Sequence, residues 1–286
     1  MESKEKGKLY LCATPIGNLG DMTPRVIETL REVDVIAAED TRNSIKLLNH
    51  FEISTPMTSY HEHNKYEKAD TLVAQMLSGK NIALITDAGT PAISDPGEVL
   101  VKRCYEEGIV VTSLPGCAAC ITALTLSGLS TRRFVFEGFL PYDKKEKNDV
   151  LRSLANEHRT IIMYEAPHHL IKTLGEIQNA LGEGANERRI TLCRELTKKF
   201  EDIFPTTIGN AIEYYKTAEP RGEYVLVIEG KSLDTIKAEE AASWESMSIG
   251  EHVQMYIDEG FDKKAAMKKT ATDRGVSKRD IYQALL

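Results

Sequence analysis

The sequence predicts an α/β protein built from two successive α/β halves, with a small helical module at its C-terminal end. Short apolar runs typical of buried strands alternate with helical patterns over the first half, and the alternation restarts after residue 129. Such alternation is typical of parallel sheets whose strands are joined by right-handed helical crossovers. The final segment carries helical patterns only. These observations together predict the fold class.

The first half contains five predicted strands and four predicted helices. The helix at 23–33 has Thr23 in the position of an N-cap and Pro24 at its first turn, where proline is tolerated best. The strands are expected at 8–14, 34–40, 55–60, 81–87 and 109–114, and the other helices at 43–51, 65–79 and 97–108.

A helical stretch at 118–129 separates the halves, so the two α/β domains are expected at 8–117 and 118–231. In the second half the segment 201–207 follows 189–196 too closely for a crossover helix, which predicts a mixed sheet. Its other strands are expected at 133–139, 160–166 and 222–230, with helices at 144–157, 168–181 and 208–219.

The C-terminal part divides into a polar stretch and a helical module. Residues 231–248 lack strand character and are predicted to be a linker. In 249–286, Gly260 and Gly275 are placed to stop helices, while Asp262 and Ser277 are placed to cap them. The pattern predicts a three-helix module of helix-turn-helix type, with a helical dimerisation arm as the alternative.

Composition excludes several classes of protein. The chain has 42% hydrophobic residues, 28% charged residues and a net charge of −7, which argues against a broadly basic nucleic-acid coat. Positive charge is local instead: residues 261–281 hold 7 basic and 3 acidic side chains. No apolar run approaches the ~18–20 residues of a membrane span, and the charged N-terminus lacks an apolar signal region. Five scattered cysteines indicate reduced core residues of a cytoplasmic protein.

The strand at 81–87 runs directly into the segment DAGTPAISDPG, which is the most informative loop in the chain. In open α/β sheets, ligands bind beyond the carboxyl ends of strands. Its glycines allow close approach of a ligand to the backbone, and its prolines restrict the shape of the loop. Three further loops of this kind are ATPIGNLGD (13–21), SLPGCAA (113–119) and YEAPHHL (164–170). None of them matches a Rossmann or a P-loop signature.

The order of these motifs resembles the S-adenosylmethionine-dependent tetrapyrrole methylase superfamily, in a branch that methylates ribosomal RNA. The resemblance covers roughly residues 8–230 and rests on TPIGNLGDMTPR, AAEDTRNS, SYHEHN, ITDAGTPAISDPG, LPGCAA, EGFLP, YEAPHHL, RELTKKFE and GEYVLVIEG. It implies two αβα domains with the cofactor in the cleft between them, usually in a homodimer. It also implies methylation of the ribose 2′-hydroxyl of a cytidine in the decoding region of 16S rRNA, free or within the small ribosomal subunit.

The resemblance also implies which residues contact S-adenosylmethionine. They lie in three of the loops and are Asp87, Gly89, Pro91, Ala92, Gly116, Cys117, Ala118, Tyr164, Glu165 and Ala166. A carboxylate such as Asp87 can accept hydrogen bonds from the donor's ammonium group or ribose hydroxyls. Tyr164 has the alternative role of a core residue.

A weakly acidic ribose hydroxyl benefits from a positioned base. The candidate catalytic residues are Glu39 and Asp40, followed by His61 or His63, with Arg42 as a candidate phosphate contact. Capping of the helix that follows is the alternative role for Glu39 and Asp40. The two histidines favour an RNA contact or a structural role over metal binding, because no third ligand follows nearby. No metal site is predicted.

Two further motifs have competing interpretations. Cys117 and Cys120 have the spacing of a redox motif at a helix start, where the pKa of a thiol is lowered, but the turn around them belongs to the cofactor loop. In RELTKKFED, Lys198 and Lys199 are candidate RNA contacts or members of a solvated charged face. Stronger candidates for phosphate contacts cluster on one side of a predicted helix and are Lys263, Lys264, Lys268 and Lys269.

Two other functions are compatible with the halves and the loops. One is a methylase of a tetrapyrrole precursor, which would have no use for a basic helical tail. The other is a ligand-sensing regulator that binds duplex DNA through the helix-turn-helix. Donor binding, together with a preference for 16S rRNA over promoter DNA, would separate the RNA methyltransferase from both.

Overall fold

The computed structural model describes residues 5–182, 184–245 and 247–286. They form two compact units. The first runs to Leu154 and resumes over Arg159–Glu229, and the second combines Ala155–His158 with Gly230–Leu286. The two predicted α/β halves both lie in the first unit. Their division at residue 117 stays a prediction.

The first half of the first unit is a parallel sheet covered by helices on both faces. Its strands are β1 (Leu9–Cys12), β2 (Val35–Ala38), β3 (Met57–Ser59), β4 (Ile82–Ile85) and β5 (Val111–Leu114), in the order β3-β2-β4-β1-β5. Its helices are α1 (Pro24–Glu32), α2 (Thr41–His50), α3 (Lys65–Leu77) and α4 (Gly97–Glu106). All strand pairs in this sheet are parallel, as the sequence pattern predicts.

Side-chain alternation divides the core of this half into two layers. Leu9 and Leu11 of β1 pack with Leu72 of α3 and Leu100 of α4 on one face of the sheet. On the other face, Cys12 packs in the layer that α1 and α2 contribute to. Because both faces are covered, the central strand β4 is apolar and buried throughout, and the polar residues Thr86 and Asp87 follow its carboxyl end.

The second half begins with α5 (Ala119–Leu126) and contains a mixed sheet. Its elements are β6 (Phe134–Gly138), α6 (Lys144–Ala155), β7 (Thr160–Glu165), α7 (Pro167–Leu181), β8 (Arg189–Arg194), β9 (Asp202–Thr207), α8 (Ile208–Tyr215) and β10 (Tyr224–Ile228). The strand order is β6-β7-β10-β8-β9, with β6 and β7 parallel and the other pairs antiparallel. The prediction of a mixed sheet is confirmed.

The second unit contains one more helix than the sequence predicts. Residues Leu233–Glu245 form α9, so the prediction of an irregular linker at 231–248 is wrong. A polar composition argues against a strand, but alanine, glutamate and lysine are good helix formers. The start of α9 is capped by the Ser232 hydroxyl, which accepts a hydrogen bond from the Thr235 N–H at 3.0 Å.

The three predicted C-terminal helices are confirmed as α10 (Ile249–Asp258), α11 (Lys263–Asp273) and α12 (Lys278–Ala284). Ser248 and Ser277 each begin a helix with a reciprocal capping box. The guanidinium of Arg274 donates to the carbonyl oxygens of Trp244 and Met247, each at 2.6 Å. These bonds connect the end of α9 to the helical module. Within the described residues, no helix is both long and apolar enough to cross a membrane.

Candidate active site

Loops from three neighbouring strands meet at the carboxyl edge of the first sheet. The backbones of Thr14, after β1, and Gly89, after β4, form an antiparallel bridge with N–H to oxygen distances of 2.9 and 3.1 Å. The Thr90 hydroxyl donates to the carbonyl oxygen of Cys117, after β5, at 2.8 Å. Three loops distant in sequence are therefore held together by hydrogen bonds.

Two glycines make this close approach possible. Gly89 has a φ of +87°, a left-handed conformation that glycine adopts readily. At Gly116, an added Cβ would lie 2.6 Å from the Cβ of Ala13, too close for any other residue without movement of the backbone. Glycine is therefore favoured at position 89 by backbone conformation and at position 116 by lack of space for a side chain.

Next to these loops is a cavity of about 320 Å³, with walls from both halves of the first unit. Five of the predicted cofactor residues line it, and they are Gly89, Ala118, Tyr164, Glu165 and Ala166. Its remaining walls include an apolar group, namely Ile16, Ile93, Ala119, Phe139, Leu196 and Val225. Its charged groups are Glu39, Asp95, Glu165, Glu195, Glu223 and Lys198.

The other predicted cofactor residues lie in the same loops but are not among the wall residues. They are Asp87, Pro91, Ala92, Gly116 and Cys117. The carboxylate of Asp87 turns to the start of α2, where it accepts hydrogen bonds from the Asp40 N–H at 3.3 Å and the Asn43 side-chain amide at 3.2 Å. Asp87 thereby joins the end of β4 to the end of β2.

Glu39 and Asp40 are neighbours in sequence but have opposite electrostatic environments. Glu39 lines the cavity, and burial raises the pKa of its carboxyl, assisted by the negative charges of Asp87, Asp95 and Asp40. The N–H of Asp87 donates to the Glu39 carboxylate and partly opposes this rise. Glu39 is therefore the more basic of the two carboxylates.

Asp40 caps α2. Its carboxylate accepts hydrogen bonds from the Arg42 N–H at 2.8 Å and from the Arg42 guanidinium at 3.1 and 2.7 Å. These bonds lower the pKa of Asp40 to about 2. Such a carboxylate has little affinity for a proton, so the capping role fits Asp40 better than the catalytic one. Arg42 is exposed and is paired with Asp40.

His61 lies just beyond β3 and is not among the wall residues of the cavity. Its Nδ1 is buried and has no hydrogen-bond partner within the described part of the chain. The ring packs edge-on against His63, with centroids 6.0 Å apart. The structure therefore brings Glu39, but not His61, to the cavity wall.

Glu195 and Lys198, in the loop after β8, form a charged cluster with Glu223. Of these three residues, the sequence predicts only Lys198 as a site residue. Lys198 donates to the carboxylates of Glu195 at 2.9 Å and Glu223 at 2.8 Å. Burial alone would lower the pKa of Lys198, but the two carboxylates have the larger combined effect and raise it. Lys198 therefore stays charged. Its ammonium group is already paired, and its predicted RNA contact stays a prediction. Glu195 and Glu223 are far apart in sequence, and no local pattern links them.

Backbone strain is concentrated in two of the cavity loops. Among the described residues, five non-glycine residues have a positive φ, and four of them lie at or near the cavity. Ala92 (+68°) and Ser94 (+62°) are in the loop after β4, while Glu195 (+50°) and Thr197 (+66°) follow β8. Such conformations persist where the surrounding structure enforces them, which is common at ligand sites.

Cys117 does not have the lowered thiol pKa that its position in the sequence suggests. The helix α5 begins at Ala119, and burial raises the pKa of Cys117 above its ordinary value. For Cys117 the prediction of a lowered thiol pKa is wrong, because this residue precedes the helix and is partly enclosed. Cys120 and Cys193 are buried, and both line the cavity as apolar side chains.

The predicted phosphate contacts of the tail lie on α11, where all four lysine side chains are exposed. Lys269 differs from the others because its ammonium group lies 4.8 Å from the ring centroid of Tyr256 and 4.6 Å from that of Phe261. These cation–π contacts give Lys269 a structural role in the module. Lys199 lies 5.6 Å from the ring centroid of Phe200.

The fold is that of known methylases. Residues 8–212 match the family model described as Tetrapyrrole (Corrin/Porphyrin) Methylases. A cobalt precorrin-4 methyltransferase structure aligns with a TM-score of 0.57 at 20% identity, covering 78% of this chain and 94% of that one. A Thermus thermophilus uroporphyrin-III C-methyltransferase complexed with S-adenosylhomocysteine aligns with a TM-score of 0.55 at 16% identity, covering 78% and 97%. The predicted fold class is confirmed.

Similar proteins of known name indicate which branch of the methylases the chain belongs to. Proteins named ribosomal RNA small subunit methyltransferase I are 49% identical in Halalkalibacterium halodurans, covering 97% of this chain and 94% of the relative, and 47% identical in Synechocystis, covering 98% of each. The Haemophilus influenzae protein of that name is 52% identical and covers 79% of each chain. The chain belongs to the tetrapyrrole methylases and, within them, to the ribosomal RNA small subunit methyltransferase I family. It is a methyltransferase.

Membership of this methyltransferase family confirms S-adenosylmethionine as the predicted cofactor. The charge and the apolar walls of the cavity fit this molecule. Five carboxylates and a single ammonium group among the wall residues leave the cavity acidic. The donor carries a sulfonium and an ammonium group against one carboxylate, so its net charge is complementary. Apolar walls beside Gly89 suit its flat ring and its methylene chain.

Proposed function

We propose that this methyltransferase transfers a methyl group from S-adenosylmethionine to the ribose 2′-hydroxyl of a cytidine in the decoding region of 16S rRNA. The observation that carries the proposal is the full-length similarity to proteins named for methylation of small-subunit ribosomal RNA. The acidic cavity with a half-buried glutamate is consistent with transfer to a weakly acidic hydroxyl. The basic side chains on α11 are consistent with a polyanionic substrate.

The donor would be held by residues of both halves. In this proposal, Gly89 and Ala118 contact it from the first-half loops, and Tyr164, Glu165 and Ala166 contact it from the end of β7. Asp87, Pro91, Ala92, Gly116 and Cys117 would shape and rigidify these loops, or would reach the donor from their edges. When bound, S-adenosylmethionine supplies the electrophilic methyl group for an in-line displacement.

Glu39 would act as the general base. Its carboxylate takes the proton of the ribose hydroxyl as the oxygen–methyl bond forms and the sulfur–methyl bond breaks. The raised pKa suits this role, because a base with higher proton affinity is more effective when it is still ionised at working pH. Asp87 would position Glu39 through its backbone N–H, and Asp40 and Arg42 would hold the start of α2.

RNA would be bound by local contacts, because a chain with a net charge of −7 repels a phosphate backbone overall. The proposed contacts are Lys263, Lys264 and Lys268, with Lys199 near the loop after β8. A homodimer would present two such modules to one large substrate. Sedimentation or light scattering of the purified chain would establish the dimer.

The test is incubation of unmodified 16S rRNA, free and in assembled small subunits, with isotopically labelled S-adenosylmethionine. The proposal predicts label in an alkali-resistant dinucleotide that contains cytidine, since a 2′-O-methyl group blocks alkaline cleavage. Label on a base, or label only in a tetrapyrrole precursor supplied in parallel, would contradict it.

A further inference from the structure

Phe139 presents an exposed aromatic ring at the cavity, and the proposed reaction gives that ring no role. The residue directly follows β6 and lines the cavity. Its side chain is 57% exposed, whereas the neighbouring rings of Phe136 and Tyr164 are half-buried. An exposed ring in the wall of a cavity lies at its rim, where the cavity opens.

The local backbone is built to aim this side chain. The pairing of β6 with β7 shifts register between Phe136 and Gly138, and Gly138 has a φ of +62°. Irregularities of this kind re-aim a side chain and are common beside active sites. An added Cβ at Gly138 would lie 3.1 Å from the Ser94 hydroxyl, so the loop after β4 packs closely against this turn.

The ring of Tyr164 contacts Phe139, and the ring of Phe136 in turn contacts Tyr164. The Phe139 centroid lies 5.5 Å from that of Tyr164 with an interplanar angle of 61°, and Tyr164 lies 5.0 Å from Phe136 at 70°. These are edge-to-face contacts, which favour a defined ring orientation. Phe139 therefore has Tyr164 as a ring neighbour, while much of its surface remains available for another flat ring.

We propose that Phe139 stacks on the nucleobase of the nucleotide that is methylated, which must be unpaired and unstacked when it binds. This inference rests on the proposed RNA substrate. Sequence-specific RNA recognition stacks splayed bases on aromatic side chains. A base within a duplex has both faces covered, so the target is single-stranded or flipped out. Phe139 and Glu39 line one cavity, so the same nucleotide can reach both.

A flat heteroaromatic ring is also present in the adenine of the methyl donor. We commit to the nucleobase of the acceptor, because a donor held within the cleft is enclosed and Phe139 lies at the exposed rim. A stacked acceptor base would also hold the ribose of its nucleotide in one orientation, which an in-line transfer requires. If Phe139 stacks on the acceptor base, its loss weakens RNA binding; if it stacks on the donor's adenine, its loss weakens binding of S-adenosylhomocysteine.

The test compares Phe139→Leu with Phe139→Trp, using Tyr105→Leu as the matched control. Tyr105, on α4, is 66% exposed and is not among the wall residues of the cavity, so its loss removes a similar aromatic area elsewhere. Binding of a single-stranded RNA of the target region and binding of S-adenosylhomocysteine are measured separately by calorimetry. Melting temperatures establish that each variant folds.

The proposal predicts that Phe139→Leu weakens RNA binding by about 5- to 150-fold, the range expected for loss of one stacked base. Phe139→Trp and Tyr105→Leu retain RNA binding, and S-adenosylhomocysteine binds all variants equally. The proposal would be overturned if Phe139→Leu bound RNA with an affinity within twofold of that of the original chain. A matching loss of S-adenosylhomocysteine affinity would also overturn it, by assigning the ring to the donor.

The tryptophan variant provides an independent readout should Phe139→Leu fail to fold. The chain has one native tryptophan, Trp244, so a second one at position 139 gives a separable fluorescence signal. Stacking predicts quenching when the RNA oligonucleotide is added, and unchanged fluorescence at saturation contradicts it. If the unmodified chain binds RNA but methylates none, the proposed function fails while the stacking proposal is still decided by the binding data.

Discussion

At the scale of single residues, proton affinity separates two adjacent carboxylates. Glu39 lies in the cavity wall and has a raised pKa because of burial, while hydrogen bonds from Arg42 lower that of Asp40 to about 2. The difference arises because β2 ends at Ala38, after which one side chain faces the cavity and the next caps α2. We therefore expect catalysis to depend on Glu39 much more than on Asp40.

We predict that Glu39→Gln lowers kcat by about 10²- to 10⁴-fold, the usual contribution of a general base. Donor binding should change little, because glutamine keeps the size and the hydrogen-bonding capacity of the side chain. Steady-state methylation kinetics with calorimetry of S-adenosylhomocysteine measure both quantities. The control is Glu107→Gln, an exposed glutamate outside the cavity wall. A kcat for Glu39→Gln equal to that of the control would rule out the base.

The same carboxylate predicts a pH dependence. Methylation by a carboxylate base is lost as pH falls through the pKa of Glu39, which lies above the ordinary value for glutamate. The acidic limb of the kcat profile should therefore lie above that ordinary value and disappear in Glu39→Gln. If the limb is the same in the variant, another group controls it.

At the scale of elements, two glycines offer a matched pair of alanine substitutions. Gly116→Ala places a Cβ 2.6 Å from that of Ala13, whereas an added Cβ at Gly175 in α7 meets no atom within 4 Å in the described structure. We expect Gly116→Ala to destabilise the first unit by about 1–3 kcal/mol through overpacking. We expect Gly175→Ala to stabilise it by roughly 0.5–1 kcal/mol, because glycine is a poor helix former. Urea unfolding checks both signs, and equal effects would contradict the steric account.

The capping box of α10 predicts the stability of the second unit. The Ser248 hydroxyl accepts a hydrogen bond from the Glu251 N–H at 3.2 Å, and the Glu251 carboxylate accepts one from the Ser248 N–H at 2.8 Å. Ser248→Ala should cost about 0.5–2 kcal/mol. Hydrogen exchange of α10 amides measures this loss. Ser153→Ala, in the last turn of α6, is the control, and equal exchange in the two variants would count against the cap.

The sequence predicts most elements because their signals are local. Short apolar or mixed runs predict each of the ten strands in the described part of the chain, although the strands are one to four residues shorter than expected. The helix α9 is not predicted, because its polar pattern does not distinguish a helix from a linker. At the site, the glycines and Glu39 can be predicted from motifs. No local pattern reveals the charged cluster of Glu195, Lys198 and Glu223, because it depends on contacts between residues distant in sequence. The same is true of the orientation of the Phe139 side chain toward the cavity.

At the scale of the whole molecule, charge is divided between an acidic body and a basic surface on the module. RNA binding should therefore weaken steeply with salt, since its electrostatic part comes from the release of counterions. Substituting Lys263, Lys264 and Lys268 together with alanine should reduce the slope of log K against log[salt] by about 2, at ~0.7 for each phosphate that is no longer neutralised. Lys237→Ala on α9 is the control. An unchanged slope in the triple variant would place the RNA surface elsewhere.

The central claim is that this chain methylates the ribose of a cytidine in small-subunit RNA. The most direct measurement is mass spectrometry of nucleosides from unmodified 16S rRNA after reaction with the purified chain and S-adenosylmethionine. We expect 2′-O-methylcytidine at one decoding-region position, lost in Glu39→Gln and retained in Glu107→Gln. A methyl group on a base, or no methylated nucleoside from free RNA or assembled subunits, would contradict it.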